Sequence, residues 1–190
     1  MKKYDNSSIS ALKGADRVRK RPAVIFGSDG VEGCEHSMFE ILSNSIDEAR
    51  EGFGSTITVT RYADMSIEVE DFGRGIPVDY NEKEKRYNWE LVFCELYAGG
   101  KYNNNDGGDY EYSLGLNGLG ACATQYSSEY MDVEILRDGF KFNLHFEHGK
   151  NVGGLGKTEF RHRHTGTKIH WKPDLKVFTS IDIPVENYHS

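Results

Sequence analysis

The stretch Cys34-Glu35-His36-Ser37-Met38-Phe39-Glu40-Ile41-Leu42-Ser43-Asn44-Ser45-Ile46-Asp47-Glu48-Ala49-Arg50 decides the fold. At roughly 100° per residue it reads as one helix, with Met38, Leu42, Ile46 and Ala49 on one face and Phe39 beside them. Glu40, Asn44, Asp47 and Glu48 then gather on the opposite face. Taken alone, such a stripe is the wet side of an amphipathic helix. Whether it binds anything depends on what later segments bring to it.

Downstream, Thr56–Arg61 and Ser66–Glu70 alternate with period two, Ile57 and Val59 then Ile67 and Val69 on one side. Tyr62–Met65 is a connection of hairpin length. The second strand runs into Asp71-Phe72-Gly73-Arg74-Gly75-Ile76-Pro77-Val78. A carboxylate at a strand end, followed by two glycines, sits where backbone can lie against a flat ligand. An ionised Asp71 only accepts hydrogen bonds, so its natural partner is a donor such as the exocyclic amine of adenine.

Asn88–Tyr97 reads as a helix stopped by Gly99-Gly100. From Lys101 to Glu111 the residues between are Asn, Asp, Gly and Tyr, too polar for a core, and the stretch reads as a lid. Ser113–Gly120 is glycine-rich and opens a small-residue helix from Ala121 to about Tyr126, whose first amides suit phosphate. Strands follow at Met131–Arg137 and Phe140–Glu147, around a turn at Asp138-Gly139. A glycine-rich turn at 149–156 leads to a strand-like Lys157–Arg163. Thr165-Gly166-Thr167 precedes a last strand, Lys168–Trp171, which Pro173 closes. Upstream, residues 1–13 carry Tyr4, Ile9 and Leu12 and read as an arm that packs on something else. Arg17–Arg21 is a short basic run, a solvated helix end or a contact.

With 190 residues, 37% hydrophobic and 28% charged, the chain suits one globular domain with a real core. A net charge of −7 argues against the segment as a whole being a main DNA-binding surface. Cys34, Cys94 and Cys122 are scattered, with no Cys-Xaa-Xaa-Cys pair, and read as reduced thiols of a cytoplasmic protein. No apolar run spans a membrane, and no signal peptide follows Met1.

Several short motifs fail on context. Gly156-Lys157-Thr158 lacks the P-loop glycine, because Asn151 stands five positions before Gly156. Asp71-Phe72-Gly73 has no kinase catalytic loop to go with it. Gly115, Gly118 and Gly120 reverse the spacing of the dinucleotide fingerprint. His162, His164 and His170 could share one side of a strand region, but a metal there would want a carboxylate or thiolate nearby.

Taken in order, the pieces are specific: Glu40, Asn44 and Asp47 on a helix, Asp71-Xaa-Gly73-Xaa-Gly75, a glycine lid ending in Gly118-Xaa-Gly120, then Gly166-Thr167. This order resembles the ATP-binding fold shared by type II topoisomerases, histidine kinases, MutL mismatch-repair proteins and the ninety-kilodalton heat-shock chaperones. Leu12-Lys13-Gly14, Val18 to Pro22, Asn44 to Ala49, Gly73 to Val78, Ala98 to Tyr102 and Thr165 to Thr167 narrow the resemblance. They are similar to the B subunits of bacterial type IIA topoisomerases, DNA gyrase and topoisomerase IV. The chain departs from that pattern at Ala23-Val24-Ile25-Phe26, Ser43, Phe72 (usually Asn) and Asn117 (usually His).

The resemblance implies an α+β, two-layer sandwich with a mixed, mostly antiparallel sheet covered on one face by helices (the Bergerat or GHKL fold). An arm would occupy 1–15 and the ATP-binding domain 16–190, with a lid at about 99–120. Glu40 would be the general base for the water attacking the γ-phosphate, with His36 assisting. Asn44 would hold Mg²⁺. Asp71 would read adenine, Thr167 completing that contact through water. Gly75, Ile76, Pro77 and Arg137 would line the nucleotide pocket, and Glu48 would pair with Arg74 at its rim. Lys101, Tyr110, Asn117, Gly118, Leu119 and Gly120 would close over the triphosphate. Implied partners are a second copy of the chain, reached by the arm with Tyr4 and Ile9 in an ATP-dependent dimer, the gyrase A or topoisomerase IV A subunit through domains absent from this segment, and double-stranded DNA. Without a transducer domain to add a lysine to the γ-phosphate, the segment would bind ATP with little turnover. A chaperone- or MutL-type clamp and an ATP-sensing module are the other readings.

Overall fold

The structure, a computed structural model, describes residues 14–96 and 120–184. Tyr4 and Ile9 of the arm, the Gly99-Gly100 stop and lid residues Lys101, Tyr110, Asn117, Gly118 and Leu119 lie outside them. Helices α1 (Asp16–Arg19), α2 (Pro22–Phe26) and α3 (Val31–Arg50) come first, then strands β1 (Ile57–Arg61) and β2 (Ile67–Asp71). A two-stranded hairpin, β3 (Tyr80–Asn81) and β4 (Arg86–Tyr87), leads to α4 (Asn88–Phe93). Helix α5 (Gly120–Tyr126) precedes β5 (Ser128–Arg137), β6 (Phe140–Glu147), β7 (Lys150–Asn151), β8 (Gly156–Glu159) and β9 (Gly166–Pro173). The main sheet runs β1-β2-β9-β5-β6-β7, with β8 also on β6, and every described pairing is antiparallel.

Alternation along the strands explains the two layers. Ile67, Val69, Met131, Val133, Ile135, Phe142, Leu144, Phe146, Ile169 and Trp171 are buried on one face with α3, α4 and α5 residues. Glu68, Glu70, Glu134, Lys168 and His170, between them in the same strands, are half-buried on the other. The Asp138-Gly139 turn takes positive φ at both residues (54° and 80°), as a tight two-residue hairpin requires.

Helix α3 departs from the expected register. Its buried residues include Cys34, Met38, Ile41, Ser45 and Glu48, whereas Leu42, Ile46 and Ala49 are half-buried flanks. The seam is thus turned by about a quarter of a turn, and Glu48 belongs to the core side rather than to the wet stripe. The cause lies outside the helix: the inward Ser45 and Glu48 meet polar partners presented by the end of β2 and the turn after it.

Two other expected boundaries also move. Helix α4 ends at Phe93, not near Tyr97, and the Phe93 and Cys94 carbonyls accept hydrogen bonds from Gln125 (2.9 Å) and the Tyr126 hydroxyl (2.6 Å). The expected strand over Lys157–Arg163 stops at Glu159, because the Phe160 amide turns onto the Gly139 carbonyl (3.0 Å). Beyond these, Arg19 ties α1 to the rest of the fold. It pairs with buried Asp174 and donates to the Tyr126 (3.0 Å) and Ser128 (3.1 Å) carbonyls. All three cysteines are free thiols. Burial pushes Cys34 and Cys94 up to about 12, and Cys122 further, so none is a ready nucleophile.

Gly166 fixes the sheet where the site begins. A Cβ there would lie 2.3 Å from the Asp71 carbonyl oxygen, a backbone atom that cannot swing away. Gly166→Ala is expected to prise β9 from β2 and lower the unfolding free energy by about 2–3 kcal/mol in chemical denaturation.

Candidate functional site

Helix α3, the end of β2 and the start of α5 meet around four side chains. Glu40 projects from α3 and accepts at Oε1 from, or shares a proton with, His36 Nε2 at 3.0 Å. Its other oxygen, Oε2, is buried and has no hydrogen-bond partner among the described residues. The position a Cβ on Gly120 would take is 3.6 Å from that oxygen and 3.8 Å from Asn44 Nδ2. The start of α5 therefore faces Glu40 and Asn44 together. An unpartnered buried carboxylate oxygen is costly unless something binds it.

One turn further along α3, Ser45 donates to Asp71 Oδ2 at 2.6 Å, and the Gly73 amide donates to Oδ1 at 3.0 Å. Asp71 ends β2 opposite Thr167 of β9 and is only 5% exposed. Burial pushes its carboxyl above the usual value; hydrogen bonds from Ser45, Gly73 and Thr167 oppose the shift, and the nearby Glu48 charge adds to it. The Thr167 hydroxyl accepts from the Ile76 amide at 3.0 Å, holding the strand against the Gly75-Ile76-Pro77 turn. Gly75 needs its glycine: φ is 84°, and a Cβ would sit 3.1 Å from Ile135 and from the Leu136 carbonyl. Arg137 reaches the same turn, donating to the Gly75 carbonyl at 2.9 Å.

Glu48 is a structural clamp on this turn. It accepts from the Arg74 amide (2.9 Å) and from Arg74 Nη2 (2.6 Å), while being 1% exposed. Arg74 also reaches Glu51 (3.1 Å) and lies 4.0 Å above the Phe53 ring. Thr165 donates to the Gly73 carbonyl. Asp47 is half-buried and takes no described part in the cluster.

Sequence reasoning assigned no role to Ser45, Thr165, Glu51 or Phe53. Ser45 and Thr165 carried a signal, since each lies inside a quoted motif, Asn44 to Ala49 and Thr165 to Thr167. The three histidines are not brought together. His162 accepts from the Gly139 amide, His164 meets the edge of Phe72, and His170 pairs with Ser66. No group of three or more His, Cys, Asp and Glu among the described residues is placed to hold a metal ion. A cavity of about 480 Å³ on the open face of the sheet, beside Glu68, Asp132, His145 and His170, is walled by strand side chains and lies outside this cluster. No described helix is long and apolar enough to cross a membrane.

An acid-bearing helix laid on a one-sided antiparallel sheet, with a buried strand-end aspartate and a glycine turn beside it, defines a two-layer α/β sandwich with a polar cluster between its layers. Residues 31–177 match the sequence model of the family described as histidine kinase-, DNA gyrase B-, and HSP90-like ATPase, and the chain belongs to that family. It is 40% identical over 185 residues to the DNA gyrase B protein of Thermotoga maritima, covering 96% of this chain and 28% of that protein. It is 41% identical over 181 residues to the DNA topoisomerase 4 B protein of Staphylococcus epidermidis, covering 93% of the chain and 26% of that protein. The chain thus spans little more than a quarter of the curated relatives it matches. Among solved structures it is similar to the 43K ATPase domain of Thermus thermophilus gyrase B in complex with an aminocoumarin. The TM-score is 0.75 and the identity 32%, over 94% of this chain and 44% of that one.

Proposed function

We propose that this chain is the ATP-binding and hydrolysing part of a bacterial type IIA DNA topoisomerase, of the gyrase B kind, which uses ATP-driven dimerisation to gate DNA passage. The observation that carries the reading is the Glu40 carboxylate, held by His36 on one oxygen and buried without a hydrogen-bond partner among the described residues on the other, at the face shared by α3 and α5.

In this reading Glu40 Oε2 takes the proton of the water that attacks the γ-phosphate, and His36 fixes the carboxylate's orientation. Asn44 offers an amide oxygen, which with water suits a hard cation. A magnesium ion bound there would neutralise charge on the β- and γ-phosphates. Asp71 accepts from the adenine amine, with Thr167 beside it, while Gly75, Ile76 and Pro77 form the surface under the base. Arg137 holds that surface through the Gly75 carbonyl. Gly120 is the described end of the lid; Lys101, Tyr110, Asn117, Gly118 and Leu119 complete it in the proposal.

The proposed partners are a second copy of the chain, the gyrase A or topoisomerase IV A subunit, and double-stranded DNA, in the cytoplasm. Topoisomerase IV B is the second reading, favoured by a relative of that kind matching as well as the gyrase relatives do. Supercoiling against decatenation by the assembled enzyme separates the two.

Glu40→Gln tests the assignment. By calorimetry the variant should keep magnesium-dependent ATP binding, and in the full-length protein phosphate release should fall about 10²–10⁴-fold. A native chain that does not bind ATP in the presence of magnesium would sink the proposal.

A further inference from the structure

One edge of this acidic chain is basic, and the ATP reading makes no use of it. Residues 156–164, Gly-Lys-Thr-Glu-Phe-Arg-His-Arg-His, hold three Lys or Arg, two His and a single acid in a protein of net charge −7. All but His162, which is half-buried, are exposed. The segment is ordered by specific contacts. Strand β8 pairs with β6, placing Lys157 opposite Phe142 and Thr158 opposite Lys141. The Phe160 amide donates to the Gly139 carbonyl at 3.0 Å, and His162 Nε2 accepts the Gly139 amide at 2.9 Å.

Among the described residues no ion pair engages Lys141, Lys157, Arg161 or Arg163. Lys157 Nζ instead lies 4.2 Å from the Phe140 ring centroid, and Lys141 Nζ 4.4 Å from that of Phe160. Aromatic faces position an ammonium without cancelling its charge. The acids of the neighbouring strands, Asp132 and Glu147, are engaged by His145, and Glu134 by Lys168.

We propose that this edge, carrying Lys157, Arg161 and Arg163, with Lys141 on the other face of the same strand pair, is a contact surface for the phosphate backbone of duplex DNA. An array of unpaired cations on an ordered edge fits the polyanion of highest regular charge density, about one charge per 1.7 Å of axis. The Lys141 ammonium covers one face of the Phe160 ring, and the cations of this edge outnumber that exposed aromatic, which favours backbone contact over single-strand stacking. The charge of this edge is independent of the nucleotide site. Net and local charge act in opposite senses here: the chain as a whole repels DNA, and the basic edge attracts it.

The test is fluorescence anisotropy at low salt with a labelled duplex about two helical turns long. The native chain should bind, with log affinity falling linearly against log salt. Arg161→Glu with Arg163→Glu should weaken binding at least tenfold, and Arg161→Gln with Arg163→Gln should lower the salt slope by about 2. Amide resonances of residues 139–141 and 156–164 should shift on adding duplex. ATP binding, measured separately, should not change. No duplex binding by the native chain, an unaltered slope in the glutamine variant, tighter binding of single strands, or equally effective competition by polyglutamate per charge would each overturn the proposal. Aggregation of the variants with undiminished duplex affinity would instead assign the cations to edge-strand protection and also overturn it.

Discussion

Asp71→Asn is expected to lower nucleotide affinity by roughly a hundredfold while leaving the fold at least as stable at neutral pH. The two outcomes have separate causes. The carboxylate accepts from Ser45 and Gly73 and, in the proposed complex, from the adenine amine. The isosteric amide keeps one acceptor oxygen for Gly73, and the Ser45 hydroxyl can rotate to accept from its nitrogen. The new amide protons then oppose the adenine amine, donor against donor. Losing a hydrogen bond to a charged group and leaving donors unpaired costs about 3 kcal/mol, or two powers of ten in affinity. Stability moves the other way because burial already raises the Asp71 carboxyl above its usual value, so the ionised form is held at a cost to the fold.

The pH dependence carries the same sign. A carboxyl raised in the folded state favours folding below its ordinary value, and that contribution is lost as pH rises through the folded value. Adenine recognition needs the ionised form, so affinity should be retained above the folded value and fall as pH is lowered through it. Calorimetric titration of ATP between weakly acidic and neutral pH, beside thermal unfolding over the same range, reads both. If Asp71→Asn bound ATP as the native chain does, Asp71 would not be the adenine reader.

How far the site was legible follows from where each group finds its partner. Period-two alternation placed Ile67, Val69 and the Phe140–Glu147 strand because one face of the sheet is buried and the other is not, and that asymmetry is written locally. Asp71 was legible as a strand end followed by glycines, and the acidic helix as a unit. The rotation of α3 was not. Leu42, Ile46 and Ala49 outweigh Ser45 and Glu48 in any count of apolar residues, yet the helix turns the latter inward because Asp71 and the Arg74 amide need them. Helix α4 was read too long for a related reason: Gln125 and Tyr126, more than thirty residues away, take its last carbonyls. Polar groups satisfied across long sequence separations leave no periodic trace.

Glu48 and Arg74 give the second large expected effect, and the sign of its asymmetry is the test. Glu48 is 1% exposed and Arg74 32% exposed, so the partners stand in unequal solvent. Arg74→Ala strips the guanidinium from a fully buried carboxylate, leaving the residue 74 amide as the donor that Arg74 had contributed. Breaking such a pair by removing the more exposed partner should cost about 3–4 kcal/mol, a fall in Tm of roughly 6–16 °C for a chain of this size. Glu48→Gln removes the buried charge and keeps an acceptor for that amide, while Glu51 and the Phe53 ring retain the Arg74 head group. Its cost should be smaller, about 1–2 kcal/mol. Combining the two changes should cost less than their sum, because once the buried charge is gone the missing guanidinium matters little. The Gly73 backbone leans on Glu48, since a Cβ there would lie 2.7 Å from Oε2, so nucleotide affinity should follow stability in these variants. Additive losses in a double-mutant cycle by chemical denaturation, or a Glu48→Gln penalty above that of Arg74→Ala, would show that the pair does not hold the turn beside Asp71.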